Sequence, residues 1–248
     1  MKKYCLLLMC VLCSSMAWAN DEPTPAEQRA MTRTNLATEY YKRGAYAIAI
    51  EEGKKALESV KNFPYALNIL ALSYWAVKED ATSRSYFQQA LRAAPKDPDI
   101  NKNFGNFLCE EGEHRAGLAR YDVVLANPFF PNQDQALVAA ANCSLKAGDR
   151  ALAKQYFQRA AQLQSRNPQV KYQLASFLLE EQDLPEAKRH FVDLMRIFPQ
   201  PPAELLWLGV RIERAIGSKE AETRYAKQLQ QLYPDAVETT KLLTGKYD

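Results

Sequence analysis

Apolar and small residues recur along this chain with a helical period, and the pattern itself recurs about every 34 residues. Asn35-Leu36-Ala37-x-x-Tyr40 returns as Ile69-Leu70-Ala71-x-x-Tyr74 and again as Asn103-Phe104-Gly105-x-x-Leu108. Ala139-Ala140-Ala141, Gln173-Leu174-Ala175 and Trp207-Leu208-Gly209 continue the series, with spacings of 34, 34, 36, 34 and 34. The two-residue excess falls in a Pro-bounded loop at 127–132. A second series runs thirteen residues behind the first: Ala49, Ser83, Gly117, Ala153, Ala187 and Ala221. An aromatic follows four later at Phe87, Tyr121, Phe157, Phe191 and Tyr225, with Gly53 in its place in the first unit.

Each unit therefore reads as two antiparallel helices. Small residues let the backbones approach, and large apolar residues fill the space beside them. Gly44, Gly112 and Gly148 fall at the turn between the helices, and Pro95, Pro199 and Pro234 near unit ends, where proline stops a helix. One hairpin cannot bury its apolar face alone, so units must stack. In length and in order of residue types the units resemble the tetratricopeptide repeat (TPR). The resemblance implies an all-α superhelix of six helix-turn-helix repeats with a short C-terminal capping helix. The expected organisation is a signal peptide at 1–19 and a loose leader at 20–29. Repeats follow at 30–63, 64–97, 98–133 (with a longer exit loop), 134–167, 168–201 and 202–234, and a cap at 235–248.

The N-terminus does not follow the repeat. Lys2 and Lys3 precede an apolar run from Tyr4 to Cys13, and Ala17-Trp18-Ala19 closes it. That is the layout of an export signal, too short to span a bilayer comfortably, with cleavage expected between Ala19 and Asn20. Cys10 follows Met9 and Cys13 follows Leu12, so neither fits a lipoprotein site. Cleavage removes three of the five cysteines and both early lysines, taking the net charge from +3 to +1. The pair left, Cys109 and Cys143, is a disulfide candidate in an oxidising compartment; two buried free thiols are the alternative.

Composition narrows the chemistry. Scarce glycine and abundant Ala, Leu, Gln, Glu and Lys favour helices. A net charge of +3 is too small to imply a nucleic-acid surface. Two histidines leave little for a His-based catalytic centre or a metal site. No nucleophile motif, phosphate loop or fixed carboxylate pair stands out. The chain is expected to be noncatalytic, without cofactor, metal, nucleic acid or small-molecule substrate. His190, among Lys188, Arg189 and Phe191, is expected to be solvated.

A binding role rests on the surface that the first helices of successive units share. With Leu36 and its equivalents turned into the core, Tyr65, Ile69, Leu72 and Trp75 share another face of their helix, beside Tyr41. An apolar face of this kind suits a partner helix or extended segment; packing on the neighbouring helix is the alternative. Asn68, Asn103 and Asn106 add amides able to hold a peptide backbone.

Four segments resemble the type IV pilus biogenesis and stability proteins of the PilW/PilF family, the pilotin-type TPR proteins. They are Asn101-Lys102-Asn103-Phe104-Gly105-Asn106-Phe107-Leu108, the insertion with Phe130-Pro131, Gln173-Leu174-Ala175-x-x-Leu178-Leu179, and Leu205-Leu206-Trp207-Leu208-Gly209-Val210-Arg211 followed by Leu229-Gln230-Gln231-Leu232-Tyr233-Pro234. The resemblance implies a scaffold in the Gram-negative periplasm, at the inner face of the outer membrane. Its partner would be the pilus secretin or another type IV pilus assembly protein. A cysteine pair in the third and fourth repeats is a feature of some members. Membrane association would come only through lipidation or through the partner. The competing reading is a general periplasmic TPR adaptor or chaperone for another envelope assembly system.

Overall fold

The computed structural model describes residues 22–247. The signal segment and its cleavage site at Ala19 and Asn20 lie outside them. The described residues form thirteen α-helices and no strand. Helices α1 (Pro25–Lys42) and α2 (Tyr46–Ser59) make the first antiparallel pair, and α3 (Pro64–Ala76) and α4 (Asp80–Ala93) the second. The third pair is α5 (Pro98–Glu110) and α6 (His114–Leu125), the fourth α7 (Gln133–Lys146) and α8 (Arg150–Gln162). The fifth is α9 (Pro168–Glu180) and α10 (Leu184–Ile197), the sixth α11 (Ala203–Ile216) and α12 (Lys219–Leu232). The terminal α13 (Val237–Thr244) packs on α11 and α12. The protein is a six-repeat TPR superhelix with a C-terminal cap.

Local chemistry sets the helix ends. Proline opens α1, α3, α5 and α9, where its missing N–H costs nothing. Asp97 Oδ1 accepts from the Ile100 N–H at 2.9 Å, and Asp149 does the same for Leu152. Residues 25–29 are helical rather than part of a loose leader. Thr24 and Glu27 form a reciprocal capping box there, which satisfies donors that a frayed end would leave open. The turn inside each pair needs a left-handed residue. Glycine supplies it in four repeats, while Lys78 and Gln182 adopt it with φ of 65° and 61°.

Both small-residue series are buried throughout. Ala37, Ala71, Gly105, Ala141, Ala175 and Gly209 sit on the first helices, and Ala49, Ser83, Gly117, Ala153, Ala187 and Ala221 on the second. The aromatic series then links repeat to repeat. Phe87 stacks on Phe104 with ring centroids 5.2 Å apart, Phe157 on Phe177 at 4.3 Å, and Phe191 meets Tyr225 edge-on at 5.3 Å. Leu36 departs from its equivalents. Leu70, Phe104, Ala140, Leu174 and Leu208 are buried, but Leu36 is 38% exposed. Leu70 fills the space over Gly53 of the preceding α2, and no described helix precedes α1 to do the same for Leu36.

A methyl group on Gly209 would meet Phe191 Cζ at 2.5 Å and Tyr225 Cδ2 at 3.2 Å. Gly209→Ala should therefore destabilise the protein by about 1–3 kcal/mol, read as a lower melting temperature of the helical circular dichroism. An unchanged melt would show that the two rings yield freely.

Candidate functional site

The first helices α3 and α5 present adjacent faces. On α3, Tyr65 is 49% exposed, and Asn68, Leu72 and Trp75 are half-buried on the same face, at offsets of three, seven and ten. Ile69, expected among them, is 4% exposed and belongs to the core. Helix α3 packs against α1, α2, α4 and α5, so its open face is narrower than the sequence suggests. Trp75 is half anchored: its ring meets Phe107 edge-on at 5.6 Å. Leu72 packs with it on the cluster of Ala71, Phe87, Phe104, Phe107 and Leu108. The Arg84 guanidinium lies over the other aromatic partner, 5.0 Å from the Phe107 ring centre, and pairs with Glu113 at 2.6 Å. Tyr41 stands one repeat before Trp75. It is half-buried against Tyr46, ring centres 5.6 Å apart, and burial raises its phenol pKa above the ordinary value.

The amides are partly committed. Asn103 Nδ2 donates to Asn68 Oδ1 at 3.4 Å, a long bond joining α5 to α3. Asn106 Oδ1 accepts from the Tyr121 hydroxyl at 2.5 Å. Burial, with Glu110 nearby, pushes that phenol far above its ordinary pKa, so it stays a donor. Asn68 keeps its N–H2 donors and Asn103 its carbonyl for an incoming segment. Tyr65 faces the Asp97 carboxylate, which, ahead of partial burial, raises its phenol pKa. Tyr65, Asn68, Asn103 and part of Trp75 thus form a small amphipathic face, and Ile69 supports it from beneath.

One repeat further on, the structure pairs Cys109 of α5 with Cys143 of α7, their Cα atoms 5.5 Å apart, within the span of a disulfide. Both are buried, beside Tyr121 and Leu137. Gly117 makes the room: a Cβ on it would collide with Cys109 Sγ. The sequence signal for Gly117 was only its place in the small-residue series. Among the described residues, no group of three or more His, Cys, Asp or Glu side chains is placed to hold a metal. His190 is buried rather than solvated, 5% exposed on α10.

The tetratricopeptide repeat family model matches residues 144–206. Over 203 residues the chain is 25% identical to the type IV pilus assembly protein PilF of Pseudomonas aeruginosa, covering 82% of this chain and 80% of that protein. The solved structure of Pseudomonas aeruginosa PilF superposes with a TM-score of 0.78 at 22% identity, over 90% of this chain and all of that one. PilW, a widely conserved type IV pilus biogenesis factor, gives 0.77 at 29% identity, over 87% of this chain and 99% of that one. The chain is homologous to PilF and matches PilF and PilW in structure.

Two measurements follow from this geometry. Leu72→Ala with Trp75→Ala should lower stability by about 2–3 kcal/mol, less than loss of fully buried groups, whereas Tyr65→Ala should leave the melt nearly unchanged. Equal melts for both variants would place Leu72 and Trp75 outside the core. The Cys109–Cys143 pair is separated by 34 residues, so reduction should cost about 2–4 kcal/mol if the bond is formed. Coincident melts with and without reductant would count against it.

Proposed function

We propose that this protein is a noncatalytic scaffold of type IV pilus biogenesis that receives a segment of the pilus secretin, or of another pilus-machine protein, on the α3–α5 face. The similarity to PilF across most of both chains carries this reading. The likeness to PilW, a pilus biogenesis factor at 29% identity over 87% of this chain, supports it further. An open amphipathic face on a repeat scaffold is suited to holding a peptide, through apolar contact at Tyr65 and Trp75 and backbone hydrogen bonds at Asn68 and Asn103.

The N-terminal export signal and the similarity to PilF support a place of action in the Gram-negative envelope, proposed as the periplasm at the inner face of the outer membrane. No described helix is long and apolar enough to cross a membrane. Contact with the membrane would come through the partner, or through a lipid on Cys13 of the signal segment in place of cleavage after Ala19. In the exported protein the Cys109–Cys143 pair is oxidised and ties the third repeat to the fourth, fixing the far side of the α5 face. Leu72 bears on the partner through Trp75, with which it packs on the Phe107 cluster, while Tyr41 and Asn106 would border the face from α1 and α5.

A strain lacking the chain tests the reading: surface pili are counted by microscopy, and secretin multimers are followed on an unboiled gel. Loss of both is expected if the partner is the secretin. Loss of pili with intact multimers would move the partner elsewhere in the pilus machine. Normal pili and normal multimers would overturn the proposal.

A further inference from the structure

Each connection between repeats ends a second helix and starts the next first helix, so all of them lie along one edge of the superhelix. From the third repeat on, this edge carries exposed apolar side chains. Phe129 stands in the α6–α7 connection at 89% exposure, the most exposed large apolar side chain among the described residues. Leu163 follows α8 at 46%, and Ile197 ends α10 at 43%. Leu163 and Ile197, 34 residues apart, hold the same place in successive repeats. The first two connections differ: Val60 and Ala94 there are half-buried.

The insertion holds Phe129 outward. Asn127 Oδ1 accepts from the Phe129 N–H at 3.1 Å, and Gln133 Nε2 donates to the Asn127 carbonyl at 2.8 Å. Phe130 is buried beneath, with Val124 and Ala136, and Pro128 and Pro131 stiffen the loop on both sides. The α8–α9 connection lies beside it, since Pro128 and Pro131 line one shallow cavity with Leu163 and Arg166. Phe129 stands outside that cavity. Gln164 takes a left-handed φ of 46° directly after Leu163.

Charge follows the same edge. Lys96, in the connection before Phe129, and Arg166, in the one after, are exposed and have no ion pair among the described residues. Arg196 precedes Ile197. Its partner Asp193 reaches it only at 3.5 Å and pairs more closely with Lys171, at 2.8 Å. The carboxylates near Phe129 and Leu163 are committed. Asp97 caps α5, Asp99 pairs with Lys102 at 3.1 Å, and Asp134 accepts from the Ser165 hydroxyl. Glu204 and Asp235 stand open further along, and there the basic stretch ends. The opposite edge, built from the turns inside the pairs, carries Glu110, Glu111 and Glu113 in the third repeat and Glu180, Glu181 and Asp183 in the fifth. Single apolar side chains that project from a loop edge present no pocket to a folded partner. A bilayer takes each of them without a matching cavity, and anionic headgroups complement the free cations.

We propose that the edge around Phe129, Leu163 and Ile197 rests on an anionic phospholipid surface, with these side chains entering the headgroup layer and Lys96, Arg166 and Arg196 meeting the phosphates. The contact is direct and separate from the α3–α5 face, so its failure leaves the pilus reading intact. Flotation of the purified mature chain with phosphatidylglycerol–phosphatidylethanolamine vesicles tests it, with phosphatidylcholine vesicles as the neutral comparison. Each cation at an anionic surface is worth about fivefold in partitioning, so Lys96→Glu with Arg166→Glu should weaken binding to the anionic vesicles by roughly tenfold or more. Phe129→Ser, which removes the most exposed ring, should weaken it roughly tenfold as well, and Tyr65→Ala should bind like the parent. Phe129→Ser alters no core contact, so its melt should match the parent and keep the test valid if the charge variant misfolds. A parent that stays unbound to anionic vesicles, or that floats equally with phosphatidylcholine, would overturn the proposal. Binding indifferent to Phe129→Ser would do the same. So would Phe129-dependent self-association without vesicles, which would make this edge an interface between copies of the chain.

Discussion

Close approach of helix backbones at two small residues per repeat is the constraint on which the rest of the structure depends. At Gly105 and Gly117 a Cβ would meet backbone oxygen of the facing helix at 3.3 and 3.0 Å. That closeness sets the angle within a pair, and the pair fixes where its large side chains emerge. Phe87, Phe157 and Phe191 then emerge toward the next repeat, so the same spacing that closes one hairpin also stacks it on its neighbour. Stability in such an array is local and nearest-neighbour in kind. At the junction of the third and fourth repeats, buried Tyr121 is joined by the Cys109–Cys143 pair, which adds a covalent link where the chain carries its two-residue insertion.

A scaffold held this way leaves its binding surfaces to side chains that the stacking does not use. The α3 helix shows how little is left over. Four helices press on it, and only one strip, from Tyr65 through Asn68 to Trp75, stays in reach of a partner. Apolar contact there is backed by a firm floor, because Leu72 and the Trp75 ring rest on Phe107 and its cluster. The proposed surface is therefore preformed, so that a docking segment would not have to order it first.

The all-α repeat fold was legible in the sequence because small, large apolar and aromatic positions recur in phase, and each has a single packing role. What a period cannot convey is what lies next to a given face. Ile69 carries the same residue chemistry as a groove position, yet contacts from several neighbouring helices bury it. Leu36 has the signature of a core residue and stays 38% exposed, with no described helix ahead of α1 to cover it. His190 sits in a charged stretch and reads as solvated, but its position on α10 turns it into the core-side crevice. Gln164 and Phe129 gave no periodic signal at all; the only hint was the extra spacing at 127–132, which marks an insertion without saying which way its phenylalanines point. Residues 25–29 read as loose because of Pro23 and Pro25, whereas Thr24 and Glu27 supply the cap that makes Pro25 a helix opener.

Hydrogen exchange of the full mature chain, with and without the purified pilus secretin, tests the central claim most directly. The account predicts slowed exchange centred on α3 and α5, strongest at the ends of α3 near Tyr65 and Trp75, with α12 unchanged as an internal reference. Protection confined to helices away from α1, α3 and α5 would contradict it, and no protection would exclude the secretin as the partner of this face.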